Sequence, residues 1–356
     1  MIALYHSDPD LLEFSAEVRA CAPAAGADDL YDVVLSNTAF YPTGGGQPCD
    51  AGTLDGFPVE DVSHEGDLAP IVHRVRAPRP LSGVVRGCVD KARRLDFSQQ
   101  HTGQHMLSHV LCERFDAYSL GLHIGRDDAY VDLAGADAAP MTRELADELE
   151  AEVNAWIAQD EPVRCFFPTP EELEALPLRK KPDPHPELRI VCIGSCCGTH
   201  ARSTGQVQAL HILSWQQSHG NLRLFFVAGL RALRWAWPRA EQAEGAARLF
   251  SCGAQDLVAA VDRLRAQNAD LARRLAELTR ERIAAQLTSL APVPSPAGPL
   301  YAACLEGADA DGLREGLALL TLSGLLLLSG CSSDGKDPES TQSAAPEVTE
   351  TQPAAT

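Results

Sequence analysis

The sequence shows no segment that we would expect to export the protein or to place it in a bilayer. The stretch from Met1 to Asp8 has neither a basic start nor an apolar run, so no secretory leader is visible. The eleven cysteines are odd in number and scattered, which argues against a disulfide framework and fits a reducing compartment. The apolar stretch from Leu317 is shorter than the ~20 residues that span a bilayer. We therefore expect a cytoplasmic protein without a membrane role.

Basic residues are also scarce, because 30 Lys and Arg stand against 49 Asp and Glu and give a formal net charge of −19. This balance argues at first against a nucleic-acid partner. Phosphate contacts need local cation density rather than a positive total, however, so a basic patch could still bind RNA. Such clusters are more often solvated surface. The candidate members of the patch are Arg93, Arg94, Arg179, Lys180, Lys181, Arg223, Arg231 and Arg234.

Two pairs of metal-binding side chains are present, each with an interval of four residues. His101 and His105 would project from one face of a helix, and Cys196 and His200 repeat the interval later in the chain. Borderline-soft Zn²⁺ suits this mixture of imidazole and thiolate. We therefore predict one zinc ion per chain, held by these four side chains. His109 could replace a ligand, but an ordinary helix position explains it better.

The histidine pair lacks the glutamate that a zinc peptidase needs as a base. Thr102 follows His101 and Gln104 precedes His105, and neither accepts a proton near neutral pH. The base would have to be hydroxide on the ion or the substrate itself, which favours a labile ester over an amide. Four protein ligands are also typical of closed structural sites, so it stays open whether all four bind at once.

A helix that carries this pair is predicted from about Phe97 to Phe115. Asp96 would cap its first N–H groups, and Gln99 would complete a capping box. Apolar residues one and two turns beyond the pair predict a face that packs on a core. A second helix is predicted near 141–158 and strands are predicted near 188–194, 207–214 and 221–228.

Gly44, Gly45 and Gly46 predict a turn whose backbone can come close to a bound ligand, because no side chain keeps other atoms away. The turn lacks the Lys-Ser/Thr ending and the glycine spacing of nucleotide-phosphate loops. Glycine-rich turns between strands are also common without any ligand. Pro42 before it and Gln47 after it favour a shaped loop.

Several motifs occur in a fixed order: Thr38 to Gly52 with the glycine run, His101 to Leu107, and Cys196 to His200 followed by Thr204-Gly205. A segment from Leu222 to Ala232 follows. Together they resemble the alanyl-tRNA editing family, the free-standing AlaX relatives of the editing domain in alanyl-tRNA synthetase. The resemblance implies hydrolysis of tRNA for alanine that carries serine, with glycine as a second candidate, and an ion at the reaction centre.

The implied substrate predicts polar groups around the serine hydroxyl. A site that hydrogen-bonds this hydroxyl leaves buried groups unpaired when alanine enters, and the difference can reach ~10⁴-fold. Thr102 and Gln47 are the predicted groups. Thr102 could instead bond to a helix carbonyl, and Gln47 could merely satisfy the turn. Cys197 departs from the family pattern, which has glycine there, and its thiol could compete for the ion.

The fold class expected is α+β. A small N-terminal antiparallel β-domain is followed by an α+β zinc-binding editing domain, a long helix or coiled coil, and a partial C-terminal domain. The tail is rich in Ser, Thr, Glu, Pro and Ala, which cannot bury enough apolar surface to fold. The predicted divisions are 1–87, 88–237, 238–291, 297–334 and the disordered tail 335–356.

A heptad seam is predicted in the long helix, with Asn268 at an a-type position that would fix register. It favours a homodimer through residues 257–278, and the alternative is a helix that packs on its own molecule. The alternative function is a non-catalytic zinc-stabilised tRNA-binding or assembly module. A related editing activity, on another mischarged tRNA or a free amino-acid ester, also stays open. The seam comprises Leu257, Val261, Leu264, Asn268, Leu271, Leu275 and Leu278.

Overall fold

The structure is a computed structural model. It describes residues 2–66, 69–135, 141–176, 190–191, 194–196, 198–218, 221–291, 293–294, 296, 314 and 318. Contacts divide the chain into one unit of Met1–Gln242 and another of Ala243–Thr356. No helix in the described ranges has both the length and the apolar composition needed to cross a bilayer. Most of the predicted C-terminal domain and the whole predicted tail lie outside these ranges.

The first unit begins with a closed antiparallel barrel, which confirms the predicted N-terminal β-fold. Its elements are β1 (Ile2–Ala3), α1 (Leu4–Ser7), β2 (Glu13–Pro23), β3 (Leu30–Leu35), β4 (Asn37–Thr38), β5 (Gly52–Leu54), β6 (Phe57–Ser63), β7 (Val72–Arg76) and β8 (Val84–Val89). The barrel is closed by β2, β3, β7, β6, β5 and β8 in that order, and β1 pairs in parallel with β4. In β8, Val85 and Val89 point inward while Arg86 points outward, as the two-residue period of a strand requires.

A fully buried histidine lies in the barrel core. His73 Nδ1 is 3.1 Å from the carbonyl oxygen of Val33, which can only accept, so this nitrogen carries the proton. His73 Nε2 therefore accepts from the Thr38 hydroxyl at 2.8 Å, and that hydroxyl accepts from the Phe40 N–H at 3.0 Å. Burial lowers the pKa of His73 to about 4, against the raising effect of the Val33 hydrogen bond.

We expect the free energy of unfolding to fall by up to about 3 kcal/mol between pH 7 and pH 4 because of His73. The unfolded chain takes up this proton near pH 6.5, whereas the folded chain does so only near pH 4, so acid favours unfolding. Urea denaturation across this range measures the slope. His73→Gln should flatten it, because glutamine takes up no proton in this range. Equal slopes for the wild type and His73→Gln would refute the assignment.

The rest of the first unit is α+β. A four-stranded antiparallel sheet has the order β14-β15-β10-β9, and a smaller antiparallel sheet has the order β11-β12-β13. Helices α2 and α3 pack apolar side chains such as Leu107 and Leu149 against one face of the larger sheet. The elements are α2 (Lys91–Phe115), β9 (Tyr118–Ile124), β10 (Ala129–Ala134), α3 (Arg143–Ile157), β11 (Cys165–Phe166), α4 (Pro170–Ala175), β12 (Ile190–Val191), β13 (Gly194–Ser195), β14 (Leu210–Ser218) and β15 (Asn221–Ala228). Helix α5 (Leu230–Leu249) begins in this unit and ends in the next.

Helix α2 ends at Phe115 as predicted, but the predicted start is wrong. The helix begins at Lys91, and the Asp90 carboxylate caps it by accepting from the N–H groups of Ala92 and Arg93 at 2.8 and 3.1 Å. The residues that follow Asp90 are good helix formers, so the helix starts directly after the barrel. Asp96 lies inside the helix and accepts from Arg231 instead of capping.

The other predicted elements are confirmed with shifted ends. Helix α3 lies within the predicted 141–158, and β15 has the predicted bounds 221–228. The strand predicted at 207–214 starts at Leu210, because a 3₁₀ turn occupies Thr204–Val207. Of the run 188–194, the described residues lie in the short strands β12 and β13.

The predicted long helix is present as α6 (Leu257–Thr288), and it contains all seven seam residues. Pro238, where the helical pattern was predicted to begin, lies inside α5, and a 3₁₀ turn at Ala254–Asp256 separates the two helices. Several apolar seam side chains are exposed, among them Leu271 (61%), Leu275 (67%) and Leu278 (63%).

Candidate metal centre

The four predicted ligands come together in one cluster. One nitrogen or sulfur atom from each of His101, His105, Cys196 and His200 lies within 4.8 Å of the others. The two α2 imidazoles are stacked with ring centroids 5.2 Å apart, as side chains one helical turn apart should be. Cys196 Sγ is 3.1 Å from His101 Nε2 and 3.3 Å from His200 Nε2. Three imidazoles and a thiol form a donor set that suits zinc.

Gln47 fixes the orientation of the first imidazole. Its Oε1 is 2.8 Å from His101 Nδ1 and also accepts from the Thr199 N–H at 3.2 Å. An amide oxygen only accepts, so His101 Nδ1 carries the proton and the lone pair of Nε2 faces Cys196. Gln47 Nε2 donates to the Thr199 hydroxyl at 2.8 Å, and Ser98 contacts the same hydroxyl at 3.0 Å. Outer partners of this kind orient the ligands of metal sites.

Two glycines allow the close packing of this cluster. A Cβ on Gly198 would lie 2.1 Å from a carbon of the His101 ring. Position 198, between Cys196 and His200, therefore accepts only glycine. A Cβ on Gly46 would lie 1.6 Å from the Leu122 carbonyl oxygen, and the residue also has a φ of +80°. The Gly46 carbonyl accepts from the Ile124 N–H at 2.9 Å, which ties the glycine-rich loop to β9.

The glycine-rich loop has a defined conformation held by hydrogen bonds, as predicted. Gly44 and Gln47 exchange two backbone hydrogen bonds of 3.0 and 2.9 Å, and the Tyr41 hydroxyl donates to the Gly44 carbonyl at 2.9 Å. Its turn brings the Gln47 side chain to the metal cluster. Contact of Gly44, Gly45 or Gly46 with a substrate stays a prediction.

Thr102 directly follows His101 on α2 and is 3% exposed. Its hydroxyl accepts from the Ala201 N–H at 2.9 Å, so it holds the chain that follows His200 rather than a helix carbonyl. His109 packs against Trp156 with ring centroids 5.3 Å apart, and it is not a member of the cluster. Cys197 lies outside the described residues.

The structure corrects two members of the predicted basic patch. Arg94 is buried against Asp50, and Arg231 is buried against Asp96, so neither guanidinium can reach a phosphate. The side chain of Arg223 is paired with Asp132. Buried cations are held by carboxylates because isolated charges are costly away from water. Residues 179–181 lie outside the described ranges.

Two side chains of the site were missed by sequence reasoning. Thr199 joins Gln47 to Ser98, but its place between Gly198 and His200 in the sequence does not indicate this role. Ser98 precedes His101 by one helical turn, and that spacing was the available signal. Only the fold brings Gln47 to them, because no local pattern links positions so far apart in the chain.

Comparison with known proteins gives a consistent result. The alanyl-tRNA editing protein Aarsd1 of Mus musculus is 30% identical over 362 residues, 93% of this chain and 87% of that protein. The alanyl-tRNA editing protein AlaX-L of Pyrococcus horikoshii is 35% identical over 65% of this chain and 58% of its own. An alanine–tRNA ligase of Natronomonas pharaonis is 30% identical over 78% of this chain and 31% of its own. No protein-family model matches.

Proposed function

Since this chain belongs to the family of alanyl-tRNA editing proteins, we propose that it deacylates mischarged aminoacyl-tRNA with the help of zinc. The substrate is tRNA for alanine that carries serine, with glycine as the second amino acid removed. The relatives are named for alanyl-tRNA editing and for alanine–tRNA ligation, which supports a role in tRNA editing. The observation that carries the proposal is the cluster of three imidazoles and one thiol.

The residues present fit a zinc ion. Gln47 holds the proton of His101 on Nδ1, so the lone pair of Nε2 faces Cys196 and can bind a metal ion. His101, His105, Cys196 and His200 would hold the ion. When bound, zinc supplies Lewis-acid polarisation of a carbonyl oxygen. The described cluster contains no carboxylate, in keeping with an ester substrate rather than a peptide.

The chain's own residues supply orientation and selectivity in this proposal. Gln47 positions His101, and Gly44–Gly46 place Gln47. The Thr102 hydroxyl accepts from Ala201 and keeps its own proton, so it can donate one hydrogen bond to the serine hydroxyl. Gln47 Nε2 has a second hydrogen beside the one it gives to Thr199. Alanine would leave these groups unpaired, which is the basis of selectivity.

The proposal extends to organisation and partners. We retain the predicted divisions 1–87, 88–237, 238–291, 297–334 and 335–356, a cytoplasmic location, and tRNA as the partner. The exposed leucines of α6 favour a coiled coil between two copies through residues 257–278, because within the described part of the chain these apolar side chains face water. The same seam is the observation that favours the alternative function of an assembly module.

We expect the protein to hydrolyse seryl-tRNA for alanine and to spare the same tRNA charged with alanine, by up to ~10⁴-fold. Dipicolinate should remove the activity and added zinc should restore it, because the site depends on the ion. Release of radiolabelled amino acid from both charged tRNAs measures the rates. Hydrolysis that persists after the chelator has removed all zinc would contradict metal dependence. Zinc binding without any hydrolysis would favour the assembly module.

A further inference from the structure

A row of aromatic side chains crosses the face of the four-stranded sheet opposite the helices. In the strand register, Tyr130 of β10 stands directly between His123 of β9 and Phe225 of β15. Ring centroids are 5.0 Å apart for His123 and Tyr130, with planes 25° apart, and 5.5 Å apart for Tyr130 and Phe225. His123 is exposed and the other two rings are half-buried, whereas their strand neighbours point into the core. We call this set the aromatic row.

An arginine extends the aromatic row with a second flat surface. The guanidinium of Arg223 lies over the Tyr130 ring at 4.1 Å from its centroid. Asp132, directly opposite in register, accepts from Arg223 Nε and Nη2 at 2.6 and 2.8 Å and so fixes the plane. The arginine side chain is 39% exposed. A planar cation held over a ring provides a surface on which a nucleic-acid base can stack.

The aromatic row starts beside the candidate metal centre. Ile124, next to His123 on β9, donates its N–H to the Gly46 carbonyl at 2.9 Å. The residue after Gly46 is Gln47, whose side chain contacts His101. A ligand on the sheet face would therefore reach the glycine-rich loop at the His123 end, and the loop leads to the metal ligands.

We propose that the aromatic row binds the unpaired 3′-terminal nucleotides of an RNA by base stacking; the identification of that RNA as the substrate's acceptor end rests on the proposed function. Stacking suits this surface better than phosphate binding, because its cation is neutralised by Asp132 and the whole chain carries a charge of −19. A duplex, which offers backbone rather than free bases, would not fit this surface. Cross-strand rings also stabilise a sheet, so the test must separate binding from stability.

The experiment measures fluorescence anisotropy with a short labelled single-stranded RNA that ends in CCA. We expect His123→Ala to weaken binding about tenfold, since each base stacked on a side chain contributes on that scale. Arg223→Lys should weaken it similarly, because lysine keeps the charge and loses the plane. The matched control is Trp237→Ala, which removes an exposed aromatic side chain on α5, and it should bind as the wild type does.

Thermal melting of each variant and deacylation kinetics complete the test. The inference requires that the variants lose affinity for RNA while their melting temperatures equal that of the wild type. It also requires that each substitution raises KM for deacylation more than it lowers kcat. Unchanged affinity in both His123→Ala and Arg223→Lys, or equal binding of a duplex, would overturn it. The anisotropy assay needs no ester, so a wild type that binds RNA but does not deacylate would refute the proposed function and leave the aromatic row supported.

Discussion

Replacing Cys196 by alanine is expected to abolish zinc binding and to lower the deacylation rate by at least about 10²-fold. Loss of an outer hydrogen-bond partner of a metal ligand typically costs 10- to 100-fold, and loss of a ligand should exceed this range. Cys196 Sγ lies within 3.3 Å of nitrogen atoms of both His101 and His200, so its removal opens the centre of the cluster. The barrel and the sheet have their own apolar cores and should stay folded.

Elemental analysis of zinc, the deacylation rate and thermal melting should be measured on the same preparation. Cys88→Ala is the matched control, because that thiol is exposed on the barrel strand β8. The variant Cys197→Ala tests whether the neighbouring thiol competes for the ion. This variant should keep one zinc per chain. An unfolded Cys196→Ala protein would show that the ion is structural. Full zinc content in Cys196→Ala would remove Cys196 from the ligand set.

Regular elements could be predicted where one periodic signal governed them. The apolar spacing that continues past His105 predicted the end of α2. Short β-prone runs up to about Arg86, separated by Gly, Pro and Asp, predicted a strand domain, which is the barrel. The predicted start of α2 was wrong because Asp96 and Gln99 have the spacing of a capping box in the sequence. In the fold those side chains bond to Arg231 and to the Gln206 carbonyl, and such distant partners cannot be seen in local sequence.

The candidate site shows the same limit. The convergence of His101, His105, Cys196 and His200 could be predicted, because two pairs with the same interval of four residues together offer a donor set for one ion, whereas either pair alone is weak evidence. The connection from Gln47 through Thr199 to Ser98 could not, since it is created only when the barrel loop, the loop after Cys196 and α2 meet. The exposure of Arg94 and Arg231 was misjudged for a related reason. The sequence shows that both side chains are cationic, but it does not show the carboxylates with which they are buried.

Replacing Arg94 by methionine is expected to lower the free energy of unfolding by about 3–5 kcal/mol. Arg94 and Asp50 have side chains only 4% and 0% exposed, so the substitution leaves an unpaired carboxylate inside the protein. Arg94 also donates to the carbonyls of Pro9 and Ala39. Asp50 accepts from the Tyr41 N–H at 2.7 Å and its own N–H donates to the Tyr41 carbonyl, which closes the glycine-rich loop at its base.

Urea denaturation measures this loss, and Arg86→Met is the matched control. Arg86 pairs with Glu13, but their side chains are 69% and 60% exposed, so water screens the pair and its removal should cost far less stability than the loss of Arg94. Adding Asp50→Leu to Arg94→Met should recover part of the stability, because it removes the stranded charge. An Arg94→Met protein no less stable than Arg86→Met would contradict the role of the pair. Because the same pair closes the loop that carries Gln47, the single variant should also lose zinc affinity, whereas Arg86→Met should keep it.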